Sequence, residues 1–332
     1  MIYVLILFIG ITVGLIISKI IDFKKSEMDK EFLNLVDKVI FEKKKKKKRI
    51  QIRYEKILEI KDDAEFKLQT GLKREVFFKI LDFLTEKFNK AHERGSFKGI
   101  GVVCRFVLAL TYWREYRTMR QMGFDYDVSA STVCDSIKWI EEALQDFPDF
   151  QIEDIKTEIE KLEAQGVKVE SIIGDVEEQP IERPTINQEE SYSGKKKRHT
   201  TKNQIIIVED YKRIINYYNK NGTVHDFKML KDSGILTALE EKKISGKFDS
   251  GYQGVQKELS KAIIPKKKSK LHELTNEEKE FNRQLSQKRI AIEHVNRELK
   301  IFRIMKETYR NHQNRYQQKL KIMCGIFNLN NS

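Results

Sequence analysis

The chain changes its hydrophobic period once, and that change limits the fold more than any other feature of the sequence. From Tyr54 to about Leu144 apolar residues recur at helical spacing, with Phe77, Phe78, Ile80, Leu81, Phe83 and Leu84 on one stretch. Phe106, Val107, Leu110 and Trp113 fall on the next. From Val167 onward come short runs rich in β-branched residues, at 167–176, 204–208 and 213–218, the last followed by Asn221-Gly222. The remaining pattern reads as a helical stretch near 227–231, a strand ending at Asp249, a helix from Val255, a short strand at 262–264 closed by Pro265, and a long helix over 276–304. Three strands, then helices alternating with strands, predict an α/β domain with a mixed sheet, preceded by an all-α module. The chain then divides into 1–52, an apolar and basic extension that reads as a membrane span or a fused neighbouring reading frame; 53–148, the helical module; 149–166, a linker with a charged helical stretch; and 167–332, the α/β domain.

The end of the helical module has the cadence of a helix-turn-helix. A helix carrying Arg114, Arg117 and Arg120 leads to a turn over 123–127, and Ser129 is placed to cap the helix that follows. In that helix Val133, Ile137, Ile140 and Leu144 share the inner face, leaving Ser131, Thr132, Asp135, Ser136 and Lys138 outward. Small polar residues at the start of such a helix suit insertion into a DNA major groove, and Ser131, Thr132 and Lys138 are its candidate DNA contacts. A plain helical bundle gives the same pattern.

Charge points the same way. Lys plus Arg number 63 against 50 Asp plus Glu, a net +13, which favours a polyanionic partner over an acidic small molecule, although solvated lysines give the same excess. Three scattered cysteines form neither a CxxC pair nor a zinc-like cluster, and the six histidines are equally dispersed, so neither suggests a soft-metal or disulfide framework. Residues 1–18 carry no charged side chain and are followed by Lys19, Lys24 and Lys25. They read as a membrane span that leaves the rest of the protein in the cytoplasm, or as a buried helix or strand. The run Lys43 to Lys48 with Arg49 reads as a solvated linker.

Three acids stand out by position. Asp175 ends the first strand-like run, Asp249 ends the fourth, and Glu293 lies on the long C-terminal helix. Ligands collect at strand ends of open sheets, and a cluster of carboxylates suits magnesium or manganese. Phosphodiester cleavage uses a pair of such ions about 3.5 to 4 Å apart. With 50 acids in the chain, three solvated carboxylates are the rival reading. Between the first two strands, Arg183 precedes a basic turn, Lys195, Lys196, Lys197 and Arg198, which is either a phosphate-holding hairpin or a solvated loop.

At these positions the sequence resembles the DDE-type transposases of small bacterial insertion sequences. The matching runs are Gly174-Asp175-Val176-Glu177-Glu178-Gln179-Pro180-Ile181-Glu182-Arg183-Pro184, Tyr192-Ser193-Gly194-Lys195-Lys196-Lys197-Arg198-His199-Thr200, and Gly222 with His225-Asp226-Phe227. They continue through Asp249-Ser250-Gly251-Tyr252-Gln253-Gly254, Pro265-Lys266-Lys267, and Arg289-Ile290 with Glu293, Leu299-Lys300 and Phe302. In the helical module Leu110-Thr111-Tyr112-Trp113-Arg114-Glu115-Tyr116-Arg117-Thr118 resembles the family's helix-turn-helix region. The resemblance implies an RNase H-like catalytic fold in which Asp175, Asp249 and Glu293 hold two magnesium or manganese ions. It also implies hydrolysis at the ends of a DNA element, followed by attack of the freed 3′ hydroxyl on target DNA. Its partners are then double-stranded DNA and further copies of the chain, and its place is the cytoplasm beside the nucleoid. Asp226 matches a family motif outside the triad and reads as structural or as support for a neighbour. A catalytically silent DNA-binding remnant is the alternative. Two features depart from the family: the strand before Asp249, Ile244-Ser245-Gly246-Lys247-Phe248, is less apolar than a buried strand should be, and residues 1–49 have no counterpart.

Overall fold

The computed structural model describes residues 52–92, 99–268 and 273–332. Contacts divide the chain into Met1–Glu59 and Ile60–Ser332. Of the first unit only helix α1 (Ile52–Glu59) is described, so the readings of residues 1–18 and of the lysine run lie outside the described residues. Among the described residues no helix is long and apolar enough to cross a membrane.

The second unit opens with helices α2 (Asp63–Thr70), α3 (Arg74–Ala91), α4 (Val102–Glu115), α5 (Met119–Tyr126) and α6 (Ala130–Ala143). The expected single helix through Arg114, Arg117 and Arg120 is in fact two. Tyr116 ends α4 in the left-handed region, and Thr118 starts α5 with a capping box completed by Gln121. The turn into α6 is therefore shorter than 123–127, and Gly123 lies inside α5. Ser129 caps α6 as expected, accepting from the Thr132 amide. Val133, Ile137 and Ile140 are buried, but so is Ser136, expected outside; its hydroxyl donates back to the Thr132 carbonyl, so it needs no solvent.

Helix α7 (Ile155–Ala164) occupies the stretch expected as a linker. Ile155, Ile159 and Leu162 turn its apolar stripe into the core of the sheet that follows. That sheet is built from β1 (Ser171–Pro180), β2 (Tyr192–Ser193), β3 (Arg198–Val208), β4 (Ile214–Asn221), β5 (Ser245–Lys247) and β6 (Ala262–Ile263). Strand β3 pairs antiparallel with β1 on one side and with β4 and β2 on the other, while β5 pairs parallel with β1, and β6 parallel with β5. Three antiparallel strands followed by two parallel ones make the mixed sheet of an α/β, RNase H-like domain, preceded by the all-α region.

Helices α8 (Asp226–Asp232) and α9 (Ile235–Glu241) join α7 in one cluster with Ile172, Ile206, Val208 and Ile215 of the sheet. The opposite face meets α10 (Asn276–Leu299) and α11 (Tyr316–Asn330). Alternation along β1 sends Asp175, Glu177 and Gln179 to that second face, where Asn296, Lys300 and the Ile304 carbonyl receive them in turn. The helix expected from Val255 is only a short 3-10 turn, Val255–Lys257, and α10 stops at Leu299 rather than 304. The polar look of β5 also has a reason. A Cβ on Gly246 would fall 2.5 Å from the Phe248 ring, and one on Gly174 would fall 2.7 Å from it, so two glycines on neighbouring strands make room for one phenylalanine. Lys247, although buried, is ion-paired with Glu209.

Helix α11 ties the two regions together. Asn330 accepts from the Lys73 amide and donates to the Gly71 carbonyl, while Asn328 exchanges hydrogen bonds with the Ile214 backbone. Within the same junction Glu141 of α6 accepts from the Trp113 indole at 3.1 Å and from Lys319 at 3.0 Å, all three being buried. Gly325 packs against Phe150, and a Cβ there would fall 2.2 Å from the ring of that buried residue. Gly325→Ala is expected to cost about 1–3 kcal/mol through overpacking, read as a lower urea midpoint at unchanged m.

Candidate active site

The parallel pairing of β1 and β5 sets Ser171 against Ser245, Ile172 against Gly246 and Ile173 against Lys247. Ile173 and Lys247 form the last pair of that ladder, and Asp175 and Asp249 each follow two residues later. Asp175 itself stands in the middle of its strand and not at its C-terminal end, because β3 stays paired with β1 as far as Pro180 and Thr200.

Asp175 is 16% exposed. Burial pushes its carboxyl up to about 7; the Arg289 guanidinium pulls it back down, and Asp249 pushes it further up. Two side chains of α10 hold it: Arg289 Nη2 donates to Oδ1 at 2.9 Å, and Asn296 Nδ2 donates to Oδ2 at 3.0 Å. Asp249 caps the short turn Ser250–Tyr252, with Oδ1 accepting from the Gly251 amide at 2.7 Å. Residues 289, 293 and 296 are spaced by four and three, so Glu293 shares the helical stripe of Asp175's two partners. Its side chain is nonetheless exposed. Among the described residues no three His, Cys, Asp or Glu side chains are close enough together to hold a metal ion. Asp175 and Asp249 are thus neighbours, and Glu293 is not gathered to them.

Oxygen-only donors, one on β1 and one just after β5, fit a hard divalent cation such as magnesium or manganese better than a soft one. Arg289 already sets positive charge against Asp175, the sign that such a pair of carboxylates calls for.

The expected DNA contacts separate into groups. Lys138 and Arg183 line one open cleft of about 740 Å³, together with Arg310, Arg315 and Lys319. Lys195, Lys196, Lys197 and Arg198 do not line it; they are exposed on the turn between β2 and β3, where Lys197 takes a left-handed conformation and its amide donates to Ser193 O. The hydroxyls of Ser131 and Thr132 both lie 2.8 Å from that of Ser129, so the start of α6 is a linked cap rather than a row of free donors. Sequence reasoning assigned no role to Arg289 or Asn296, although their spacing from Glu293 was a usable signal. Tyr252 stood inside the matched run from Asp249 to Gly254 but was given no role, and Lys202, buried beside Asp226, left no signal.

Comparison with known proteins adds the following. The profile of the family described as DDE superfamily endonuclease matches residues 175–328. The profile described as helix-turn-helix of DDE superfamily endonuclease matches residues 104–147. The chain is 35% identical over 264 residues to a protein named probable transposase for insertion sequence element IS702, from Microchaete diplosiphon, which covers 80% of this chain and 93% of that one. Among solved structures, the piggyBac transposase synaptic complex with hairpin DNA aligns over 81% of this chain and 74% of that one, at a TM-score of 0.39 and 11% identity.

Proposed function

Because this chain belongs to the DDE superfamily of transposase endonucleases, we propose that it cuts phosphodiester bonds at the ends of an insertion element and joins the freed 3′ ends to target DNA. The observation that carries the proposal is the nearness of a desolvated Asp175 on β1 to Asp249, which follows directly after the paired strand β5. When bound, divalent cations at these carboxylates would supply the charge that activates the attacking oxygen and stabilises the leaving one. The chain's own residues do the rest. Asn296 and Arg289 fix Asp175 in direction, the Gly251 amide fixes Asp249, and Glu293 stands on the facing stripe of α10 as the third acid.

We assign residues 53–148 to recognition of the element ends and 167–332 to chemistry, with double-stranded DNA as partner and at least two copies of the chain pairing two ends. Lys138 and Arg183 hold the duplex along the cleft, Ser131 and Thr132 approach it at the start of α6, and the basic turn from Lys195 to Arg198 grips phosphates. Arg198→Ala is expected to weaken binding across sequences and to lower the slope of log K against log salt by about 1. An unchanged slope would remove the turn from the interface.

The test is incubation of the protein with magnesium and a duplex carrying the element's ends, scored for 3′-end cleavage and for joined product, with and without chelator. Cleavage that needs the cation supports the proposal. Binding without cleavage at any cation concentration supports a second reading, a catalytically silent DNA-binding protein, which the exposed position of Glu293 favours.

A further inference from the structure

We infer that the cleft beside α6 receives unpaired nucleotides of a DNA end, a single strand drawn out of the duplex that rests on its rim. The inference rests on the reading of the chain as an enzyme that cuts DNA. Three separate segments meet at the cleft: α6, the loop that follows β1, and the stretch leading into α11. Each brings an exposed cation, Lys138, Arg183 and Arg310 in turn. Neutral groups hold two of them in place. Arg183 Nε donates to Gln188 Oε1 at 2.9 Å, while Arg310 donates to the Tyr116 carbonyl and lies 4.2 Å from the centre of the Tyr116 ring. Among the described residues none of the three has a carboxylate partner. The other two cations of the cleft do: Lys319 meets Glu141, and Arg315 meets Glu142. Two exposed acids, Glu182 and Glu190, also border the cleft, too few to balance the three.

Size and lining distinguish a single strand from a duplex. The cleft measures about 740 Å³, the scale of a small-molecule site. A duplex, one groove of which is already about 12 Å wide, lies over such a cleft without entering it. A few unpaired nucleotides do enter. Between the cations the walls carry Met119, Pro184 and Ile186, and Ile186 is 76% exposed. Base faces thus find apolar surface to pack on while their phosphates meet the cations, the pairing of features that unpaired nucleic acid calls for. Solvation alone accounts for the cations but leaves the bare isoleucine among them without a use. The cleft also stands where a strand leaving the two aspartates would pass. From Asp175 to Pro180, β1 covers about 17 Å of extended chain. The Pro180 carbonyl accepts from the Tyr309 amide, and Arg183 and Arg310 follow closely on the two sides of that junction. The nucleotides concerned are therefore those beside the cut and not the scissile phosphate itself.

The experiment measures binding of the full chain, by fluorescence anisotropy in the presence of chelator so that nothing is cut, to a blunt duplex and to the same duplex ending in a few unpaired thymidines. Both 3′ and 5′ tails are used. A tail of one polarity is expected to tighten binding by about tenfold, and to steepen the dependence of log K on log salt. Ile186→Asp, which sets a negative charge among the bases, should erase that advantage. Lys138→Gln, a change at an exposed side chain, should reduce it and flatten the salt dependence of the tailed duplex by about 1. Melting curves serve as the folding control, and two substitutions on exposed positions keep the test decisive should either disturb the fold. Equal affinity for blunt and tailed duplexes would overturn the inference and leave the DNA-cutting reading standing. A tail preference that survives both substitutions would place the single strand elsewhere and overturn the role of the cleft. A chain that binds neither duplex would remove the inference and the reading together.

Discussion

Asp249→Asn is expected to lower cleavage of a duplex carrying the element's own ends by about 10³-fold or more, while the protein still retards that duplex on a gel. The substitution is conservative where it should be. Asn keeps a side-chain oxygen able to accept from the Gly251 amide, so the turn over Ser250–Tyr252 keeps its cap, and only the charge and one oxygen ligand are lost. Asp175→Asn is the less clean experiment, because it also strips Arg289 of its carboxylate partner in a largely buried setting. Undiminished cleavage by Asp249→Asn would remove the two aspartates from the chemistry. Comparing the binding constants of wild type and variant separates a failed reaction from a failed fold.

The second large effect concerns stability. Glu141→Ala should destabilise the protein by about 3–5 kcal/mol, since it leaves the Lys319 ammonium and the Trp113 indole N–H buried and unpaired. Burial already lowers the affinity of Lys319 for its proton, and Glu141 is what raises it back. Urea unfolding near neutral pH is the measurement. The double variant Glu141→Leu with Lys319→Met should lose less than the single changes summed, because no charge is then left alone. A single-variant loss below about 1 kcal/mol would mean that water reaches the pair.

Much of this was legible in the chain, and what was not follows a physical rule. Ser129 announced α6, and the β-branched runs announced β1, β3 and β4, because caps and local periodicity are properties of a few consecutive residues. The break at Tyr116 was missed because a non-glycine residue in the left-handed region carries no compositional mark. Helix α7 was legible as a charged helical stretch, but only the sheet it covers reveals its three apolar residues as core. Helix α9 was missed altogether. The acids Asp175 and Asp249 stood out by position and by resemblance, but what brings them near each other depends on which strands pair. The partners of Asp175 lie more than a hundred residues away. Glu293 has the least structural engagement of the three acids, because an exposed side chain answers to a ligand or a partner and not to its own fold.

The bonds from Asn330 to Lys73 and Gly71 join positions 257 and 259 residues apart. A ribosome adding about 5–20 residues per second needs roughly 10 to 50 seconds to cross that interval. For that time the first helices are in the cell without the element that covers them, and the apolar surface around Phe150, once made, is open to chaperones, proteases and neighbouring nascent chains until Gly325 arrives. The number of finished molecules per message is then governed by how well this waiting period is survived, so that a substitution far from the aspartates, such as one at Gly325, can change the yield of protein without touching the site.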